Sequence, residues 1–274
     1  MSVAFVLGGG GKWGAVEVGM LAALADAQIT PDLIVGTSIG AVNGAMFAGD
    51  PTPAGIDHLE RAWKSLTDSN VLVPRAHEQL RNLARLASSL VSHDAFAGWL
   101  ATQLPVQQFE DLTTRFECVA ASIERAAETW FSTGPLIPAL LASSSIPGVF
   151  PPVEIDGEHF YDGGLVNSVP ISRAIELGAS TLYVLQVGRV EQRLEVPTRW
   201  YEAGLVAFEI SRRHRFATLH EQLPDGVTVH LLPSGHTLEP DDRRQLRWSD
   251  FSATDELIDN ARRATSDYLH AVER

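Results

Sequence analysis

The pentapeptide Gly36-Thr37-Ser38-Ile39-Gly40 constrains this chain more than any other stretch. It follows the apolar run Leu33-Ile34-Val35 and precedes the small and apolar residues Ala41 to Ala48. Strand, sharp turn and helix in that order give Gly-x-Ser-x-Gly a mechanical meaning. The turn forces its serine into a tight backbone conformation, with Oγ standing clear at the strand's carboxyl end. Gly36 and Gly40 carry no Cβ to collide where strand and helix pack closely. The same residues also suit an ordinary strand-to-helix turn with Ser38 as N-cap. The remainder of the chain has to decide between the two.

Val3 to Leu7 reads as an apolar strand, followed by Gly8-Gly9-Gly10-Gly11-Lys12-Trp13-Gly14. A helix is expected from Ala15 to about Ala27, ending before Pro31. It is apolar on nearly every face and so should be deeply buried. A glycine loop leading into a helix presents backbone N–H groups towards one point, where an anion can sit. Gly9, Gly11 and Gly14 fit a dinucleotide fingerprint, but that fold needs an acid at the end of its second strand. Here Asp32 precedes that strand. A Walker loop needs Ser or Thr after its lysine, and Trp13 stands there. An oxyanion hole facing Ser38 is the favoured reading, because both loops follow the first two strands of an expected parallel sheet and share its carboxyl edge.

Composition works by exclusion. The 274 residues are 45% hydrophobic and 20% charged, which suits a globular protein with one large core, or one domain with an insertion. A net charge of -13 argues against nucleic acid and against polybasic attraction to anionic membranes. Any membrane-surface contact would then be apolar and local. The single cysteine, Cys118, lies in the apolar run Phe116 to Ala121 and reads as a core thiol. No segment has the apolar length of a transmembrane span, and MSVAFVLGGG lacks the basic region of a signal peptide. A cytoplasmic protein is the expectation.

From Asp50 the texture changes to amphipathic helices over Ala54 to Leu66, Arg75 to Ser89 and Asp94 to Leu104, a cap-like insertion at about 50–110. Trp63, Leu80, Leu83, Leu86, Trp99 and Leu100 are read there as packing residues. Arg115 to Ala121 and Glu128 to Ser132 are expected as neighbouring strands, followed by a short helix from Leu136 and a proline-ordered segment with Ser143 to Ser145. A hairpin turning at Asp156-Gly157 delivers Asp162-Gly163-Gly164. A helix from Pro170 to Leu177 and a strand from Thr181 to Val187 come next. A long helix over Thr198 to Gln222 carries Arg212-Arg213-His214-Arg215, read as a solvated face. Val227 to Leu232 is the last strand, and a helix capped by Ser252 or Thr254 runs to Val272. Alternating strands and helices imply an α/β fold, a mostly parallel central sheet with helices on both faces.

Taken together, LGGGGKWGAVEVGML at Leu7 to Leu21, GTSIGAVNG at Gly36 to Gly44 and DGGLVNSVP at Asp162 to Pro170 resemble the patatin-like phospholipase family. ASSSIPGVFPPV from Ala142 to Val153 is similar to it as well. The match is good over residues 3–48 and 115–187 and weak over 50–110. The resemblance implies a three-layer sandwich and a single catalytic domain over 1–274. It further implies a serine acyl hydrolase of lipid esters, of phospholipase A, lysophospholipase or esterase type. Carried over by position, Ser38 is the nucleophile and Asp162 its general base. The N–H groups of Gly9, Gly10 and Gly11 form the oxyanion hole, with Gly14, Gly36, Gly40, Gly163 and Gly164 supporting the loops. No cofactor and no metal is implied. The family usually places Lys or Arg directly before the last loop glycine; here Trp13 occupies that position and the lysine is Lys12. Two alternatives remain: an α/β-hydrolase with a Ser-Asp-His triad through His230 or His236, and a non-catalytic lipid-binding module. The first expects several strands before its nucleophile, and only one precedes the strand leading to Ser38.

Overall fold

Apolar residues alternate sides along Val3–Leu7 (β1) and Leu33–Thr37 (β2), the paired central strands of the sheet. Phe5, Leu7 and Ile34 enter one apolar cluster, while Ala4, Val6, Leu33 and Val35 enter another on the opposite face. Both strands are therefore buried on both sides, as strands of a covered parallel sheet must be. The computed structural model describes residues 2–69, 92–187, 194, 196–197, 206–214, 224–235 and 253–272. The expected helix over Arg75 to Ser89, with Leu80, Leu83 and Leu86, and His236 lie outside the described residues.

The remaining strands are Arg115–Ser122 (β3), Ala127–Phe131 (β4), Val153–Ile155 (β5), Glu158–Asp162 (β6), Thr181–Leu185 (β7) and Thr228–Leu231 (β8). β3, β2, β1, β7 and β8 run parallel in that spatial order. β4 and the β5–β6 hairpin join β3 antiparallel. The hairpin turns through Asp156 and Gly157, both at positive φ, 52° and 81°. A two-residue turn of that kind matches the twist of the strands it joins.

The helices are Ala15–Asp26 (α1), Ile39–Gly49 (α2), Pro53–Ser69 (α3), Asp94–Gln103 (α4), Leu136–Ser143 (α5), Ile171–Glu176 (α6), residues 206–214 (α7) and Thr254–Val272 (α8). α1, α2, α3 and α8 contribute to the larger cluster on one face, and α6 to the smaller on the other. α1 is buried almost all round, between the sheet and α8. α8 comes so close that a Cβ on Gly19 would lie 2.2 Å from the Ile258 carbonyl oxygen. Trp63, Trp99 and Leu100 are packing residues of the same core, and Cys118 is buried, its thiol pushed up by burial.

Candidate active site

The register of β3 explains why two residues far apart in the chain meet. At Cys118 and Val119, β3 pairs with both β2 and β4, which must therefore lie on opposite flanks. At Ala120 to Ser122 it pairs with both β4 and β6. β2 and β6 thus share one flank of β3 and run into each other end to end. Thr37 is opposite Val119 and Asp162 is opposite the next residue, Ala120. The chain leaving β2 is Ser38, and the last residue of β6 is Asp162. Gly163 has to pass directly over β3: a Cβ there would lie 2.3 Å from the Val119 carbonyl oxygen.

Ser38 has φ 56° and ψ -126°, a conformation outside the usual regions for a residue with a Cβ. Holding it costs about 1–3 kcal/mol, which the surrounding packing must offset. Two glycines make the bend sterically feasible. A Cβ on Gly36 would lie 2.7 Å from the Ala41 Cα, and one on Gly40 would lie 2.6 Å from the Leu7 and Gly8 carbonyl oxygens. The Ser38 N–H donates to Ser143 Oγ at 2.9 Å, and Thr37 Oγ1 donates to the Asn167 carbonyl at 2.8 Å. Ser38 Oγ donates to Asp162 Oδ2 at 2.6 Å. The other carboxylate oxygen, Oδ1, accepts from the Gly164 N–H at 2.7 Å.

Asp162 is fully buried. Burial raises its pKa to about 7, against the lowering effects of the Ser38 hydroxyl, the Gly164 N–H and the Arg212 charge; Glu209 adds to the rise. A carboxylate in this condition is a far better proton acceptor than one in water and still ionises near neutrality. An alcohol held against such a group is equipped for nucleophilic chemistry.

The glycine loop lies beside Ser38. A Cβ on Gly9 would stand 3.3 Å from the Ser38 Cβ, and one on Gly10 only 1.9 Å from Val187 Cγ2. The Gly9 N–H donates to the Ser168 carbonyl at 2.9 Å. That engagement departs from the expectation that Gly9, Gly10 and Gly11 all offer free amides. The amides of Gly10 and Gly11 take no acceptor among the described residues. Gly11 sits at φ 57°, where a Cβ would be strained although space for one exists. Gly14 closes the loop against Ile39 and Trp63, each within 3 Å of where its Cβ would be. Trp13 packs partly against the core, with the Lys12 ammonium 5.3 Å from its ring centre. Beneath the loop, Asn43 Nδ2 donates to the Gly14 carbonyl at 2.9 Å and to Glu17 Oε2 at 2.7 Å. Trp63 Nε1 donates to Asn43 Oδ1 at 2.9 Å. Glu17 is fully enclosed, and burial pushes its pKa well above the usual carboxylate range, against the lowering effect of the Asn43 hydrogen bond.

One sequence expectation is overturned. Arg212, read as part of a solvated helix face, is 5% exposed. Its Nη1 donates to the Gly9 carbonyl at 3.3 Å, and Nη2 and Nε donate to Glu209 at 2.8 and 3.2 Å. α7 lies on the Asp162 loop, where Ser211 Oγ donates to the Leu165 carbonyl at 2.7 Å and Ser168 Oγ to the Arg212 carbonyl at 3.1 Å. Arg-Arg-His-Arg in a helix carries no mark of which member turns inward, so only packing reveals it. Ser143 was legible as one serine of the proline-ordered segment, though not as the acceptor of the Ser38 amide. Nothing in the sequence marks His93, which stacks on Phe150 at 5.2 Å and has its Nε2 2.8 Å from Ser145 Oγ. His230, the base of the rival triad, stacks on Tyr183 and reaches Tyr268, on β8 at the far side of β7 and β1. Of the cap-like insertion, α3 lies against α1, α2 and α8 as part of the helical layer. α4 packs against α5, beside the site.

The patatin-like phospholipase family profile matches residues 5–175. A rat (Rattus norvegicus) protein named patatin-like phospholipase domain-containing protein 7 is 32% identical over 189 residues, 68% of this chain and 14% of that protein. Lysophospholipase nte1 of Aspergillus terreus is 28% identical over 201 residues, 69% of this chain and 12% of its own length. The chain therefore spans only a small fraction of the curated relatives it matches. Among solved structures, VipD from Legionella pneumophila aligns with a TM-score of 0.44 at 14% identity, covering 98% of this chain and 67% of that one.

Proposed function

Because this chain belongs to the patatin-like phospholipase family, we propose that it is a serine acyl hydrolase of lipid carboxylic esters, with Ser38 as nucleophile and Asp162 as general base. The observation that carries the reading is the 2.6 Å hydrogen bond from Ser38 Oγ to a buried carboxylate across 124 residues of sequence. A strained elbow and an enclosed acid have no evident structural benefit to offset their cost, and such features concentrate at functional sites.

In this mechanism Asp162 takes the Ser38 proton as Oγ bonds to the ester carbonyl carbon. The carbonyl oxygen acquires negative charge, and the amides of Gly10 and Gly11, in the loop beside Ser38, are the donors assigned to it. Each preorganised donor of this kind contributes about 2.7–4 kcal/mol when measured by removal. Collapse of the tetrahedral intermediate breaks the ester C–O bond, and protonated Asp162 returns the proton to the leaving alcohol. Water then attacks the acyl-serine with Asp162 again as base, releasing the carboxylic acid and restoring Ser38.

The names of the relatives support a lipid substrate, and the family profile over residues 5–175 supports reading 1–274 as one catalytic domain that includes α3 and α4. Among the described residues no helix is long and apolar enough to cross a membrane. We place lipid contact at an apolar, local surface, since a net charge of -13 opposes anionic head groups. Hydrolysis of a short aryl ester, a lysophospholipid and a diacyl phospholipid should be lost in Ser38→Ala and Asp162→Asn and retained in His230→Ala. A fluorophosphonate probe should label wild type and not Ser38→Ala. Failure of the probe to react with Ser38 would favour the non-catalytic lipid-binding module, and loss of activity in His230→Ala would revive the triad.

A further inference from the structure

Buried Arg212 and half-buried Glu209 form an ion pair on α7, against the two loops that carry the proposed chemistry. Both backbone polar groups of Gly9 are held on this side. Its N–H meets the Ser168 carbonyl, its carbonyl meets Arg212 Nη1, and Ser168 Oγ in turn donates to the Arg212 carbonyl. Gly10 and Gly11 follow directly, so the direction of their amides depends on how Gly9 is held. Lys12 and Trp13 occupy the two positions before Gly14, so the last position before that glycine carries no cation. The guanidinium at the glycine loop comes instead from 203 residues away.

We propose that Arg212, oriented by Glu209, is a positioning residue of the Ser38–Asp162 site: it anchors the Gly9 carbonyl, and its positive charge keeps Asp162 available to accept the serine proton. The proposal rests on the hydrolase reading above. A guanidinium stays charged at every pH of interest, whereas a buried carboxylate alone is driven towards its protonated form. The charged and titratable groups bearing on Asp162 are few among the described residues. Arg212 favours its ionised form and Glu209 opposes it, both from α7. Arg213 shares the Glu209 carboxylate at 3.3 Å. His93 on the α4 side approaches only through Ser145, whose carbonyl accepts the Asp162 N–H at 2.9 Å, and burial lowers the His93 pKa.

The test is the pH dependence of kcat/KM for a 4-nitrophenyl ester, measured on the full chain. Arg212→Met should move the acid limb to higher pH. Glu209→Gln should move it to lower pH, because the arginine charge then acts uncompensated. The double variant should lie between the two. A purely structural role lowers activity at all pH values and leaves the limb in place, so unmoved limbs, or shifts in one common direction, would overturn the proposal. Should Arg212→Met fail to fold, Arg212→Lys and Glu209→Gln decide the matter. The lysine is expected to retain the wild-type limb, and an unmoved limb in Glu209→Gln overturns the idea by itself. Ser38→Ala in the same assay separates the two levels of inference. Full activity there defeats the hydrolase reading, whereas an inactive Ser38→Ala with unmoved limbs defeats only the role of Arg212.

Discussion

Asp162 shows how a single enclosed group links function to stability. Its pKa is near 3.8 in an unfolded chain and about 7 in the fold, because burial disfavours the charge. The folded protein thus holds this proton more tightly than the unfolded one. The associated stability is fully present below about pH 4 and is lost as pH rises towards and through 7. Asp162→Asn removes that titration. Urea unfolding at pH 5 and pH 8 should show the variant gaining on wild type at the higher pH, by on the order of a few kcal/mol. Parallel pH dependences in the two proteins would mean that Asp162 is not the titrating group. The same residue should give wild-type hydrolysis an acid limb near pH 7, since only the ionised form accepts the serine proton. Asp162 as a member of a glycine-turn motif was legible in the sequence. Its altered acidity was not, because desolvation comes from β3, α7 and the Ser143–Ser145 segment folded around it.

Among elements, the junction of β2 and α2 is the most demanding. α2 begins against the carboxyl end of β1 so closely that a Cβ on Gly40 would lie 2.6 Å from two backbone oxygens. Backbone cannot swing aside as a flexible side chain can. Gly40→Ala is therefore expected to cost about 1–3 kcal/mol, the range for overpacking a tight site, and to abolish hydrolysis by shifting Ser38. Denaturant midpoints and the ester assay read the two effects separately; a variant with wild-type stability and turnover would contradict the close approach. The element boundaries followed from local patterning: five-residue apolar strands, glycine breaks and a helix apolar on all sides. The inward turn of Arg212 did not follow, because a basic run in the sequence looks the same whether its helix faces water or another loop.

At the scale of the whole molecule, the helix nearest the end of the described chain supports the first helix of the fold. α8 covers α1 with Leu257, Ile258, Ala261 and Leu269, all buried. Their contact is close because Gly19 has no side chain. Gly19→Val should force α8 away and lower the thermal midpoint sharply, while the variant keeps its helical circular dichroism well below that midpoint. Unchanged thermal unfolding would show that α8 packs elsewhere. The amphipathic pattern of Thr254 to Val272 was readable as a helix with one apolar face. Which surface it covers depends on α1, more than 200 positions earlier, and no periodicity encodes that.

By itself the sequence determined the local stereochemistry: where strands stop, which turns need glycine, and that Ser38 sits on a sharp bend. These are consequences of chain geometry within a few residues. The tertiary structure alone decided that β2 and β6 meet end to end along β3, that the Gly9 amide is already engaged, and that an arginine from α7 stands behind the loop. Those outcomes depend on register, desolvation and contact between segments distant in the chain, energies that exist only once the parts are packed together.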